Sequence, residues 1–251
     1  MKQIRIVAFI ALLLSAVSCD VLMQTASQVL TQDQPLTKEE VARGLKEALR
    51  VGADSALTNL NAVNGYYNDQ LVKINLPPET DKIIQYASKV PGISDMIDDV
   101  VLQINRSAED AAAQAMPIFK NAITSMTIED AWGILRGENN AATQYLNEKT
   151  YNQLVSLYMP VMQKSLNKPI VGNVSAAKTW DELTTKWNKF ANSVAGRLLD
   201  VDAVDTQLDR YVTERALDGV FLKVEDREQD IRTKAEARVN DLLKRVFGSN
   251  P

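Results

Sequence analysis

"LTKEEVARGLKEALRVGADSALTNLNAVNG", residues 36–65, decides the fold. Thr37 stands three residues before Glu40, the spacing of a capping box, and Pro35 ends whatever precedes it. Val41, Leu45, Ala48, Leu49, Gly52, Ala56, Leu60 and Val63 then recur every three or four residues, so one face of a helix is apolar. Asn64–Gly65 supplies the left-handed residues that close such a helix.

The same grammar continues outward. "QLVKINLPP" is the one stretch that reads as extended, stopped by Pro77 and Pro78. Helix is expected from Glu79 to Val90, a break at Pro91–Gly92, and a restart near Ser94. From Asp95 to Ala115 the apolar face is Ile97, Val101, Ile104, Ala108, Ala111 and Ala115, and the alanines at 111 to 113 let another helix approach closely. Pro117 is expected to kink or end that helix. Thr127 reads as a cap with Asp130 behind it, Gly137 as a stop, residues 139–150 as a short helix, and Thr150 as a new cap. Tyr151–Leu166 follows, interrupted by Pro160, and Trp180, Leu183, Trp187, Phe190 and Val194 form a further stripe. Leu208 to Phe247 supplies two or three last helices, broken near Asp218–Gly219. "AMPIFKNAI" (115–123) and "YMPVMQKSL" (158–166) share a Met-Pro core, and two copies fall short of a stacked array. The expectation is an all-α fold: a single helical-bundle-like domain over 37–248 with proline-kinked helices.

Composition agrees. The chain has 251 residues, 45% hydrophobic and 24% charged, which is ordinary globular usage rather than that of a disordered chain. A formal charge of −4 and no long basic run argue against a nucleic-acid partner.

The amino terminus has a different anatomy. Lys2 and Arg5 precede "IVAFIALLL" (6–14) and the small residues of "SAVS" (15–18), the pattern of a secretory signal peptide over 1–18. The apolar run is too short to span a bilayer, which takes roughly 20 residues. Cys19, the only cysteine, follows at once and matches the lipobox of bacterial lipoproteins except that Ala16 stands where leucine is more usual. A lone thiol makes no intramolecular disulfide, and there is no histidine to share a metal with it. Cys19 is therefore expected to be acylated, with residues 19–36 as lipidated cysteine and tether. Two or more acyl chains hold a protein firmly on a membrane, each buried methylene contributing about 0.8 kcal/mol. Removing residues 1–18 takes Lys2 and Arg5 away and leaves 26 basic against 32 acidic residues, so the body should hang from its tether rather than lie flat. The expected address is the bacterial cell envelope, lipid-anchored and facing the periplasm. Asp20 resembles an inner-membrane retention residue of enteric bacteria, but other lineages sort differently, so inner and outer membrane both stand open.

The catalytic toolkit is thin. Without histidine there is no Ser-His-Asp or Cys-His arrangement and no imidazole switch, and acylation removes the thiol. No phosphate-cradling glycine loop occurs. "DVDAVD" (200–205) puts Val204 at a ligand position and lacks the glycine of a calcium loop, so it reads as an inter-helix loop with Asp205 as cap. No metal and no cofactor are expected. Asp95, Asp98 and Asp99 crowd one helix start, where acids complement the dipole. In "EDREQD" (225–230), Glu228 lies four before Arg232 and Asp230 four before Lys234, which suits a solvated charged face. Arg106, Arg232 and Arg238 lie beside apolar stripes. Two readings of them stay open: ion pairs with Glu109, Glu228 or Asp241, or an anion-binding pocket. The tryptophan stripe is read as core first and a ligand groove second.

Six ordered segments carry a resemblance: "GLKEAL" (44–49), "INRSAEDAA" (104–112), "PIFKNAI" (117–123), "DAWGILRGENNAATQYL" (130–146), "YVTERALDGVF" (211–221) and "IRTKAEARVNDLLKRVFG" (231–248). Together they resemble the bacterial family catalogued as domain of unknown function 4197, from about Leu36 to Gly248. Members usually carry Asp-Pro where this chain has Lys234–Ala235, which suggests a continuous last helix here. The resemblance implies a helical, exported, often lipid-anchored protein and implies no activity. Two functions follow as expectations. The first is a non-enzymatic binding or scaffold module for an envelope protein or an apolar ligand. The alternative is a carboxylate- and arginine-dependent hydrolase or lyase, with or without a divalent cation, which requires acids such as Asp98, Glu109 and Glu228 to converge in one cleft.

Overall fold

The computed structural model describes residues 35–248. The expected signal peptide, Cys19 and the expected tether up to residue 34 lie outside the described residues. Among the described residues nine α-helices follow one another: α1 Lys38–Asn61, α2 Asp81–Tyr86, α3 Ile93–Ser125, α4 Ala131–Arg136, α5 Ala141–Leu166, α6 Ala176–Ala191, α7 Val194–Leu198, α8 Leu208–Thr233 and α9 Asp241–Gly248. Short 3₁₀ turns flank α2 and join α8 to α9, and no strand occurs among the described residues.

Four long helices form the body. Each of α1, α3, α5 and α8 packs on two of the others, and the diagonal pairs barely touch. Neighbours run antiparallel. Lys46 of α1 donates to the Thr124 carbonyl at the end of α3, at 2.8 Å, while Arg106 reaches back to Asn64 just past the end of α1. Thr143 at the start of α5 meets Glu228 near the end of α8, and Gln163 near its end meets Asp209 at the start of α8. The result is an up-and-down four-helix bundle. One end gathers the starts of α1 and α5, the stops of α3 and α8, and the small helices α4 and α9. The other gathers the 62–92 segment, α6 and α7.

Small residues set the spacing. Ala48, Ala53, Ala56, Ala108, Ala111 and Ala115 are buried, and a Cβ on Gly52 would sit 3.2 Å from Val224. Phe119, Tyr151 and Phe221 fill the middle in tilted ring contacts of 5.7 and 6.1 Å. Trp187 is fully buried, and its indole N–H donates to the Asp202 carbonyl at 3.0 Å. Each fully buried side chain of this size contributes roughly 1.5–3 kcal/mol.

Several local expectations change. Thr37 caps α1 by accepting from the Glu40 amide, but the Glu40 carboxylate pairs with Arg245 of α9 instead of closing the box. The "QLVKINLPP" stretch is irregular, held by Asn105 rather than by a partner strand. Helix α3 runs through Pro117 and α5 through Pro160, so each proline loses one backbone bond without ending its helix. Asp130, not Thr127, caps α4 by accepting from the Gly133 amide at 2.8 Å. Thr150 caps nothing; its hydroxyl donates to the Leu146 carbonyl inside α5, which runs unbroken from Ala141. α8 likewise passes Gly219 without a break, because the missing side chain there admits Tyr66 and Val72 at 3.0 and 3.2 Å. Asp205 is not the cap of α8; Gln207 holds that position without a side-chain bond. The last helix is not continuous: α8 stops at Thr233, Lys234 turns extended, and α9 restarts at Asp241.

Candidate functional site

The expected arginines and acids fall into two centres, one at each end of the bundle. At the α4–α9 end, Glu228 has no exposed surface. One carboxylate oxygen accepts from the Ala142 amide (3.0 Å) and from Arg232 (2.7 and 2.8 Å), and the other from the Thr143 amide and hydroxyl (2.7 and 2.6 Å). Glu228 therefore sits on the amino terminus of α5, where the helix dipole is positive. Arg232 donates onward to the carbonyls of Ile134 and Leu135, at 3.0 and 2.7 Å, which close α4. Its guanidinium also lies 5.6 Å from the Phe247 ring. Arg238 does not pair with Asp241; it donates to the carbonyls of Ile231 and Arg232 at 2.9 Å, the last turn of α8. Each charge thus meets a helix end of opposite sign.

At the other end Glu109 is 4% exposed. One oxygen accepts from the Tyr66 and Tyr67 amides, both at 3.2 Å, and the other from Arg106 at 2.6 Å. Arg106 also donates to Asn64, which turns the chain out of α1 at φ 72°. Asn105, one turn before Glu109, mimics a strand: it accepts from the Ile74 amide at 2.9 Å and donates to the Ile74 carbonyl at 2.7 Å. These three residues of α3 pin residues 64–74 across the bundle.

Both carboxylates are buried with each oxygen engaged by an internal donor, so neither is offered to a cleft. They share no partner, and Asp98 is exposed on the surface of α3. Among the described residues no three acidic or thiol side chains come together to hold a metal ion. The convergence that a carboxylate enzyme requires is not formed by these residues. The "EDREQD" run is correspondingly mixed: the Asp230–Lys234 pair lies at the surface, while Glu228 is core.

Two further features lie outside both centres, and Trp180, part of the stripe whose second reading is a ligand groove, lines the first of them. A cavity of about 360 Å³ opens between the end of α5, the start of α6 and the start of α8, lined by Leu166, Trp180, Leu208, Gln163 and Asp209 among others. Near the same end the surface is oily. Val194 and Leu198 of α7 are 75% and 81% exposed, and Val63, Leu71 and Ile84 are exposed within the 62–92 segment. Apart from that stripe neither has a motif, because each arises from helices meeting rather than from spacing along one of them. No described helix is long and apolar enough to cross a membrane.

Fold and centres together define a class: an antiparallel four-helix bundle closed by buried acid–arginine clasps. The chain belongs to the family described as protein of unknown function (DUF4197), whose model matches residues 35–248. No curated protein and no solved structure matches it.

Proposed function

We propose that this chain is a lipid-anchored cell-envelope protein, a non-enzymatic binding or scaffold module tethered through Cys19 and offering the far end of its bundle to a partner or an apolar ligand. The separation of features along the bundle supports this reading. The tether is expected to lead into α1 at Thr37, beside α9, whereas five of the seven exposed large aliphatic side chains (Val63, Leu71, Ile84, Val194 and Leu198) and the cavity lie at the opposite end, with Leu157 on α5 and Val239 beside α9 the exceptions. With 26 residues in α8, the two ends are about 39 Å apart. A body hung by Cys19 would carry that oily end away from its membrane. Several exposed large aliphatic side chains gathered at one end suit an interaction site.

The test is a crosslinking pull-down from intact cells, with a photoreactive residue placed at Leu198 or Leu71, in wild type and in Cys19→Ala. Adducts that form at these positions and are lost without the tether support the reading. Mass spectrometry showing an unmodified Cys19 thiol, or adducts no richer at Leu198 than at a charged surface position, would defeat it.

A further inference from the structure

We infer that the cavity between α5, α6 and α8 is a binding site for a small organic cation, a primary ammonium on a short aliphatic or aromatic stem. This deepens the binding reading, on which it rests, by naming a ligand class. The walls are hydrocarbon and indole, from Leu166, Ala177, Leu208 and Trp180. The polar side is Gln163, Asn167, Thr206 and one carboxylate, Asp209, the only charged group in the lining. Asp209 accepts from the Gln163 side-chain amide at 2.6 Å and from the Arg210 amide at 2.8 Å. A carboxylate offers about four acceptor positions, so these bonds orient Asp209 and leave capacity for a further donor.

No lysine or arginine among the described residues forms an ion pair with Asp209, although cations stand next in sequence to the lining residues Asn167, Ala177 and Asp209. Lys168 pairs with Asp110 at 2.6 Å, Lys178 with Glu182 at 3.9 Å, and Arg210 with Glu214 at 2.9 Å. The aromatic side of the cavity repeats the pattern. Elsewhere the chain lays its own cations over rings, Arg136 over Trp132 and Arg215 over Tyr211, at 5.1 and 6.0 Å. Trp180 receives none among the described residues. A carboxylate and an indole, both favourable to positive charge, thus meet in one cavity without an internal cation. A bare metal ion does not suit it, since one carboxylate among amides is a poor oxygen cage and about 360 Å³ is far too roomy. The volume falls at the low end of small-molecule sites, which sets the stem to a few carbons or one ring.

The experiment is calorimetric titration of the full chain with n-hexylammonium, n-hexanol and hexanoate, which share a stem and differ in head charge. The ammonium should bind tightest and hexanoate weakest. Asp209→Asn keeps the side chain's shape and should weaken the ammonium by about tenfold or more, leaving hexanol unchanged. In a ¹⁵N spectrum the ammonium should shift the indole signal of Trp180 and not that of Trp132. Equal binding of the three heads, an Asp209→Asn chain that binds as before, or a shift at Trp132 instead would overturn the inference. If Asp209→Asn abolishes nothing while Leu198 crosslinks persist, the ammonium site falls and the wider binding reading stands.

Discussion

The two ends of the bundle use the same kind of acid–arginine clasp on different backbone, helix termini at one and a loop at the other. Where α1 and α5 begin and α4 and α8 stop, helix termini face inward. Buried charges satisfy them: Glu228 on amide groups, Arg232 and Arg238 on carbonyls. Where α1 ends and α8 begins, the backbone is held by neutral Asn105 and by Glu109, and the surface is left with exposed Val63, Leu71, Val194 and Leu198. The lesson concerns placement of charge. A carboxylate in the core is tolerable when a helix dipole and a guanidinium both meet it, and such a carboxylate is then unavailable to a substrate. At the other end the Arg106–Glu109 clasp holds the loop after α1 rather than helix termini, and hydrocarbon is presented at the surface beside it.

The largest test of this contrast is Glu228→Ala. It leaves Arg232 buried without its counter-charge and two amides of α5 unpaired, and should cost about 3–5 kcal/mol in urea unfolding. Asn105→Ala at the other end leaves only the Ile74 backbone groups unpaired. It should cost about 2–3 kcal/mol and raise hydrogen exchange chiefly across residues 64–76. Equal and global effects from the two substitutions would erase the distinction between the ends. Gly44→Ala probes the closed end sterically: a Cβ there would lie 2.6 Å from Val246, so α9 must shift, at about 1–3 kcal/mol.

Buried phenols set the alkaline limit. Desolvation raises the Tyr66 and Tyr158 hydroxyls well above the ordinary value of 10.0. Their contribution is complete below pH 10 and is lost as pH rises through the raised values, at about 1.4 kcal/mol per unit for each. Asp69 acts in the opposite sense. Hydrogen bonding to Lys223 lowers its carboxyl below 3.8, so its share is present above that pH and disappears as acid protonates it. Thermal midpoints across pH should therefore stay level through neutrality, where no imidazole titrates, and fall at both extremes. Leu198→Ser is the smallest change, within about 0.5 kcal/mol of wild-type stability. It should nonetheless remove the crosslinks at the oily end. A Leu198→Ser chain that keeps its partner would show that this end is merely bare.

Helix boundaries built from local chemistry were legible in the sequence: Thr37 as a cap, Pro91–Gly92 as a break, Gly137 as a stop. Boundaries decided by tertiary contact were not. Thr150 and Gly219 look like interruptions because hydroxyl and glycine weaken isolated helices, yet one hydroxyl bonds within its own helix and the other position is filled by Tyr66. The break at Lys234 escaped for the converse reason: Arg238 folding back onto carbonyls of α8 holds a turn that no proline marks. Of the acid–arginine pairs, the i, i+3 and i, i+4 spacings of Arg106–Glu109 and Glu228–Arg232 were readable. That Glu228 lies in the interior was not, since its depth depends on where α5 starts.

The clasp between Glu40 and Arg245 brings the first and last helices of the bundle side by side. Connectivity and packing can therefore be separated. A circular permutant, joined from Gly248 to Leu36 by a short flexible linker and opened at Gly172, would keep every contact named above, the Thr37 cap included. Gly172 has φ 65° and open space where a Cβ would go, so a cut there disturbs no packed atom. Such a rearranged chain would begin at the oily end, and hanging it from a membrane by its new start would turn the molecule upside down.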